Sequence, residues 1–184
     1  MEKIDILRNA IVDRAEFYKG EKEISGNKGF VNSHFEKKMK ERGWNQGQAW
    51  CSYAAEQFWY EGYSIANPKV ALNVSKLFSA NAVRTYNNLV ANGFEGSNIP
   101  EPGDLVIWQS YRQGKARKSG EWFLGHIGTV IDVDDKGFTS IEGNSNQAGG
   151  REGIEVAEKK RKYTWKSNNG LRLIGFIKPK YLKG

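Results

Sequence analysis

The stretch Gly125-His126-Ile127-Gly128-Thr129-Val130-Ile131-Asp132-Val133, then Asp134-Asp135-Lys136-Gly137, then Phe138-Thr139-Ser140-Ile141-Glu142 decides how the rest of the chain is read. Its apolar residues alternate on either side of a polar, glycine-ended turn, which is the pattern of a β-hairpin. An antiparallel pair in the second half of the chain predicts an antiparallel sheet there. With the turn near Asp135, Thr129 is expected opposite Ser140, and His126 roughly opposite Gly143, between Glu142 and Asn144.

Strand patterns flank the hairpin. Ile99-Pro100-Glu101-Pro102-Gly103-Asp104 makes a turn, and Leu105-Val106-Ile107-Trp108 after it is apolar throughout, as in a buried strand. Gln109 to Glu121 is polar and basic and is read as a long loop. A glycine-rich loop from Gly143 to Gly153 leads to a strand at Ile154-Glu155-Val156-Ala157, and Leu173-Ile174-Gly175-Phe176-Ile177 supplies the last strand before Pro179.

Upstream the apolar period lengthens to three and four. Ile4, Leu7, Ile11, Ala15 and Tyr18 mark an amphipathic helix, Val31, Phe35 and Met39 a short surface helix, and Ala82, Val83, Tyr86, Leu89 and Val90 a third, closed by Asn92-Gly93. Between Lys19 and Gly29 the glycines indicate irregular backbone. Helices first and an antiparallel sheet second is an α+β arrangement, with no internal repeat or linker, so residues 1–184 are expected to form one domain.

One more helix begins at Gln46-Gly47-Gln48-Ala49-Trp50-Cys51-Ser52-Tyr53-Ala54-Ala55, with Phe58 and Trp59 continuing the packed face to an end near Glu61-Gly62 and a connection at Asn67-Pro68. Cys51 is the only cysteine, so no intrachain disulfide is available. A helix start offers unpaired N–H groups that favour a thiolate, the form of cysteine that attacks a carbonyl carbon. The competing reading is an inert buried thiol. Small Ala54 and Ala55 let a strand approach closely. A cysteine nucleophile also needs an imidazole and a polar group to orient it, and the hairpin delivers His126 with Glu142 and Asn144 nearby. His34, the other histidine, lies on a surface helix without an evident partner.

The chain has 184 residues, 28 basic and 21 acidic, for a net charge of +7. That excess favours an anionic partner without choosing among nucleic acid, membrane surface and acidic wall polymer. The denser basic groups, Lys115 to Lys118 and Lys159 to Lys162, read as solvated loops and strand edges. No helix-turn-helix, zinc or RNP-like signature accompanies them, so nucleic acid is not the expected partner. Met1-Glu2-Lys3-Ile4-Asp5 carries charge where a signal peptide needs an apolar core, and no stretch reaches the length of a membrane span. Paired Cys or His spacings are absent, so no metal or other cofactor is expected.

Taken together and in order, Trp50-Cys51 leading a helix, Pro102-Gly103-Asp104-Leu105-Val106-Ile107-Trp108, Gly125-His126-Ile127-Gly128-Thr129-Val130 and Glu142-Gly143-Asn144 resemble the CHAP family, the cysteine- and histidine-dependent amidohydrolases and peptidases among the papain-like peptidoglycan hydrolases. The resemblance runs from about Ile4 to Ile177. It implies a papain-like fold and hydrolysis of amide bonds in bacterial peptidoglycan, as an endopeptidase or an N-acetylmuramoyl-L-alanine amidase. It also implies roles: Cys51 as nucleophile, His126 as general base and acid, Glu142 as the usual orienting carboxylate and Asn144 as an additional polar member. The Cys51 N–H would hold the oxyanion, with Gln48 and Gln46 as weaker candidates that read better as turn residues. The N-terminal aspartate cluster with which some relatives bind calcium is missing. Trp44, Tyr111 and Trp122, taken as exposed, would contact glycan or peptide strands.

A phage endolysin released by lysis is the first expected setting and an antibacterial effector exported by a non-classical route the second, acting on the wall or in the periplasm as a monomer. A wall-binding module of the same fold that does not cleave is the non-enzymatic alternative. Cys51 is expected at a helix start facing the hairpin, partly exposed in a groove.

Overall fold

The computed structural model describes residues 1–118, 124–145 and 153–182. Five helices precede most of the sheet: α1 (Lys3–Phe17), α2 (Ser33–Glu41), α3 (Cys51–Ala66), α4 (Pro68–Ser75) and α5 (Ala82–Ala91). Their starts follow side-chain chemistry. Glu2 and Asp5 form a reciprocal capping box on α1, Asn32 accepts the N–H groups of His34 and Phe35 at α2, and Asn81 accepts that of Arg84 at α5. Two short strands, β1 (Glu23–Ile24) and β2 (Gly29–Phe30), pair within the segment expected to be irregular.

The remaining strands are β3 (Gly96–Ser97), β4 (Leu105–Arg112), β5 (Lys115–Ala116), β6 (Gly125–Asp134), β7 (Gly137–Ser145), β8 (Glu155–Arg161) and β9 (Gly170–Ile177). They form one antiparallel sheet in the order β3-β9-β4-β6-β7-β8, with β5 on β4. The architecture is the α+β arrangement of helices against a C-terminal antiparallel sheet.

Three expected boundaries move, each for a local reason. Gly62 does not end α3, because α1 crosses there: a Cβ on Gly62 would stand 2.5 Å from Ile11 Cγ1 and 2.9 Å from the Ile11 backbone. The glycine is a crossing point and not a stop signal. Pro68 opens a helix instead of a loop, since a proline at the first helical position loses no hydrogen bond. The long loop expected from Gln109 is in part strand, because β4 runs to Arg112 and β5 turns back on it; residues 119–121 of that segment lie outside the described residues.

The hairpin forms out of the expected register, by two residues beside the turn and by one beyond the irregularity that follows. Thr129 pairs with Ile141 and Val130 with Ser140, then Asp132 with Thr139 after an irregularity at Ile131. An inserted bulge residue shifts every pair on the far side of it, which turn geometry alone does not reveal.

The unbroken apolar run Leu105 to Trp108 is explained by cover on both faces of the sheet. Leu105 and Ile107 join Leu7, Ile11, Trp59, Tyr63, Ile127 and Ile177 beneath the helices. Val106 and Trp108 join Val130, Phe138, Leu173 and Phe176 on the other face. Tyr163 and Trp165, between β8 and β9, pack on Phe138 and Phe176 there. A third cluster, with Phe30, Phe35, Trp44, Trp50, Phe58 and Ile141, anchors the start of α3.

Candidate active site

Helix α3 begins without help from a side chain. Trp50 occupies the N-cap position and makes no capping hydrogen bond. Lacking a Ser or Asp there costs about 1 kcal/mol, whereas full burial of a single large apolar side chain contributes about 1.5–3 kcal/mol. Trp50 and Phe58 are both fully buried, so packing fixes the helix start. The N–H groups of the first turn, that of Cys51 among them, have no intrahelical carbonyl to bond. Trp50 is further held by its indole N–H, which donates to Glu23 on β1.

Strand β7 lies directly on this helix start. A Cβ on Gly143 would fall 2.5 Å from Ala54 Cβ and 2.8 Å from the Trp50 ring. The glycine and the small alanine let strand and helix touch, as the sequence leads one to expect. On the opposite side of the strand, Glu142 occupies the space that a side chain at Gly128 would fill, with Glu142 Cγ 2.7 Å from a Cβ built there. His126, two residues before Gly128, is thereby a same-face diagonal neighbour of Glu142.

The two side chains meet. His126 Nε2 lies 2.8 Å from Glu142 Oε2, with the imidazole and carboxylate both buried. The Cys51 thiol, at the start of α3, also acts on this ring. Burial opposes charging His126, but hydrogen bonding to Cys51 and Glu142 overcomes it and holds the imidazole above its ordinary value. The Trp108 ring stacks on the imidazole at 5.7 Å and an interplanar angle of 29°.

Glu142 is the most heavily bonded group in the site. Arg161 at the end of β8 takes both its oxygens, Nε donating to Oε1 at 2.8 Å and Nη2 to Oε2. Ser140 Oγ donates to Oε1 at 2.7 Å. Burial alone would push this carboxylate up, but the bonds from Arg161 and His126 bring it well below the ordinary glutamate range. It is thus an anion held in one rotamer, able to fix the tautomer and orientation of an imidazole.

Of the residues singled out in the sequence, Cys51, His126 and Glu142 come together. Asn144 follows in the irregular end of β7 with φ 51°, half-buried, and makes no bond to the ring. Gln46 and Gln48 are engaged in the preceding loop: Gln46 donates to the Lys28 carbonyl, and the Gln48 side-chain oxygen accepts from the Asn45 N–H and the Tyr53 hydroxyl. Cys51 is 8% exposed, more enclosed than the partly exposed thiol expected, because Trp50 and β7 close around the helix start. Trp44 is not an exposed contact surface at all. It is 2% exposed, packed on Phe30, with its N–H bonded to the Gln48 carbonyl. Tyr111 is half-buried beneath the Arg172 guanidinium, 3.7 Å from its ring centre, and Trp122 lies outside the described residues. His34 is exposed. Among the described residues no group of three or more His, Cys, Asp or Glu gathers as a metal site, and no helix is long and apolar enough to cross a membrane.

Arg161 and Ser140 escape sequence reasoning. Arg161 sits in a basic run whose members look alike, and only the pairing of Phe138 with Arg161 and of Glu142 with Ala157 shows which of them share the face of Glu142. The alternation from Ala157 through Lys159 to Arg161 was the available signal.

No curated protein and no solved structure matches the chain. The model of the CHAP domain matches residues 38–144, a span that runs from α2 through the start of α3 and the hairpin to Asn144. Members of that family are generally cysteine- and histidine-dependent amidohydrolases or peptidases, and the match covers more than half of the sequence. The chain belongs to the CHAP family.

Proposed function

We propose that the protein is a peptidoglycan hydrolase that cleaves an amide bond of the bacterial cell wall, as an endopeptidase or an N-acetylmuramoyl-L-alanine amidase, with Cys51, His126 and Glu142 as its catalytic centre. The observation that carries this reading is the buried His126 ring held by the Glu142 carboxylate and influenced by the Cys51 thiol at the start of α3. Family membership and a net charge of +7, suited to acidic wall polymers, support it.

In the proposed reaction the thiol proton passes to His126 and the Cys51 sulfur attacks the amide carbonyl carbon. The oxyanion of the tetrahedral intermediate accepts the Cys51 N–H at the helix start, where the helix dipole also favours negative charge. The His126 imidazolium gives its proton to the departing amine as the carbon–nitrogen bond breaks, leaving a thioester. Water, deprotonated by His126, then adds to the thioester, and the thiol returns as the acid product leaves. Glu142 keeps the ring in the tautomer and orientation both halves require. Asn144 borders the site and has no assigned step.

Turbidity of purified cell walls tests the reading. Wild type clears them, and Cys51→Ala abolishes clearing. Equal clearing by the two proteins would sink the proposal, and so would a folded wild type that clears no walls from any species tried. Mass spectrometry of the digest separates the two activities: a new free amine within the peptide marks an endopeptidase, and a stem peptide freed from its sugar marks an amidase.

A further inference from the structure

We propose that Arg161 is a positioning residue for the catalytic pair: its guanidinium fork fixes the Glu142 carboxylate and neutralises it, so that His126 faces a Glu–Arg unit of no net charge instead of a bare anion. The proposal rests on the reading of Cys51, His126 and Glu142 given above and extends it by one strand.

The geometry is specific. Arg161 bonds both oxygens of Glu142, and its Nη2 and His126 Nε2 converge on the same atom, Oε2. A bidentate guanidinium–carboxylate pair fixes the plane of the carboxylate as well as its charge. The guanidinium carbon lies 5.3 Å from the centre of the Trp108 ring, and that ring also stacks on His126. One indole therefore positions both partners of Glu142. Among the described residues, the groups that meet the carboxylate or its partners are His126 from β6, Ser140 from β7, Arg161 from β8 and the Trp108 ring from β4, with the Cys51 thiol beyond the imidazole. Arg161 is the only permanent cation in that set.

The chemical reason for such an arrangement lies in the work His126 must do. A bare buried carboxylate at Nε2 makes imidazolium too stable, so that it gives up its proton reluctantly to the departing amine. A neutral partner orients the ring without that cost. Arginine, which stays charged at every working pH, converts a carboxylate into such a partner while keeping it ionised. Lysine carries the charge but lacks the fork.

Nuclear magnetic resonance titration of the imidazole tests this without any substrate. The chain has two histidines, so His34→Gln leaves His126 as the single imidazole signal. In that background Arg161→Met raises the His126 midpoint by about one pH unit, the expected result of removing a nearby cation, and Arg161→Lys shifts it less. A midpoint that is unchanged or lowered in Arg161→Met overturns the proposal. Should Arg161→Met fail to fold, Arg161→Lys and the double variant E142Q/R161M decide. The double variant strands no buried charge and again gives His126 a partner of no net charge, so its midpoint stays close to that of wild type. A double-variant midpoint well below wild type, or a wild-type midpoint in Arg161→Lys, overturns it equally. If walls are cleared and the titration does not move, only the role of Arg161 falls. If the titration moves and walls are not cleared, only the hydrolase reading does.

Discussion

Two carboxylates among the described residues are fully buried and each is held by an arginine, yet they do opposite things. Asp104, at the turn before β4, accepts from Arg8 of α1 at 2.7 Å and from the Glu101 N–H, and Arg8 also bonds the Pro102 carbonyl. Glu142 accepts from Arg161, His126 and Ser140. Burial pushes Asp104 up to about 6, with Arg8 offsetting only part of the rise, whereas Glu142 is pulled down. The difference is in the donors. A single arginine nitrogen bonds Asp104, while both oxygens of Glu142 are gripped and a second cationic partner, the imidazole, faces it. Asp104 ties a helix to the sheet, and Glu142 ties an imidazole to a thiol.

Substitution should separate the two roles. The largest effect belongs to Glu142→Gln: wall-clearing by the folded protein falls by about 10²- to 10⁴-fold, the range for losing a general acid–base arrangement. Near wild-type rates in a turbidity assay would remove Glu142 from the chemistry. Asp104→Asn acts on stability instead. It turns one of the two oxygens that accept from Arg8 and from the Glu101 N–H into a donor and costs about 1–3 kcal/mol, which for a chain of this size lowers Tm by roughly 2–12 °C, while specific activity well below Tm is unchanged. Calorimetry beside the activity assay checks both halves, and a loss of activity without a drop in Tm reverses the assignment.

Gly143→Ala ranks next. Its methyl group would press on Ala54 and the Trp50 ring, neither of which is the free end of a flexible chain. We expect a loss of about 1–3 kcal/mol, the usual cost of overpacking, together with reduced clearing because the start of α3 is displaced from His126. Urea denaturation that overlays wild type would show that β7 and α3 approach less closely than described.

The smallest effect is in pH. A carboxylate held above its unfolded value makes the fold most stable when protonated, so the Asp104 contribution is complete below 3.8, is still largely present at pH 4.5 and is lost as pH rises through about 6. Glu142, held below its unfolded value, contributes stability above about 4.5 and loses it only under stronger acid. His126, held above its own, keeps its contribution below 6.5 and loses it at higher pH. The interval from 4.5 to 6 therefore isolates Asp104. Glu56, raised by burial to about 7, adds a slope common to both proteins. Wild type should gain stability on acidification from pH 6 to 4.5 relative to Asp104→Asn in urea titrations, and parallel slopes would erase the contrast between the two carboxylates.

The comparison also shows what can be read without coordinates. Pro102-Gly103-Asp104 is visible as a motif, but its partner Arg8 lies 96 residues away on a helix face that periodicity marks only as polar. His126 and Glu142 are 16 residues apart within one hairpin, so antiparallel geometry brings them together even with the register one residue off. Side chains of Glu and His span that error. Arg161 is 19 residues from Glu142, little farther than His126, but it joins the hairpin from the next strand, and its neighbours in the basic run compete for the same reading. Trp44 differs from expectation for a related reason: an aromatic in a glycine- and asparagine-rich turn looks exposed until the small β1–β2 pair places Phe30 against it.

By itself the sequence determined the order of helices and strands, the hairpin, the helix that starts at Cys51 and the candidate set Cys51, His126, Glu142 and Asn144, because period, turn residues and the short reach of a hairpin are local. Only the tertiary structure decided that Glu142 and not Asn144 takes the ring nitrogen, that Cys51 is enclosed, and that two arginines sit on two buried carboxylates. Those outcomes depend on strand register, on a bulge at Ile131 and on which face of β8 turns inward, and each is set by packing between segments far apart in the chain.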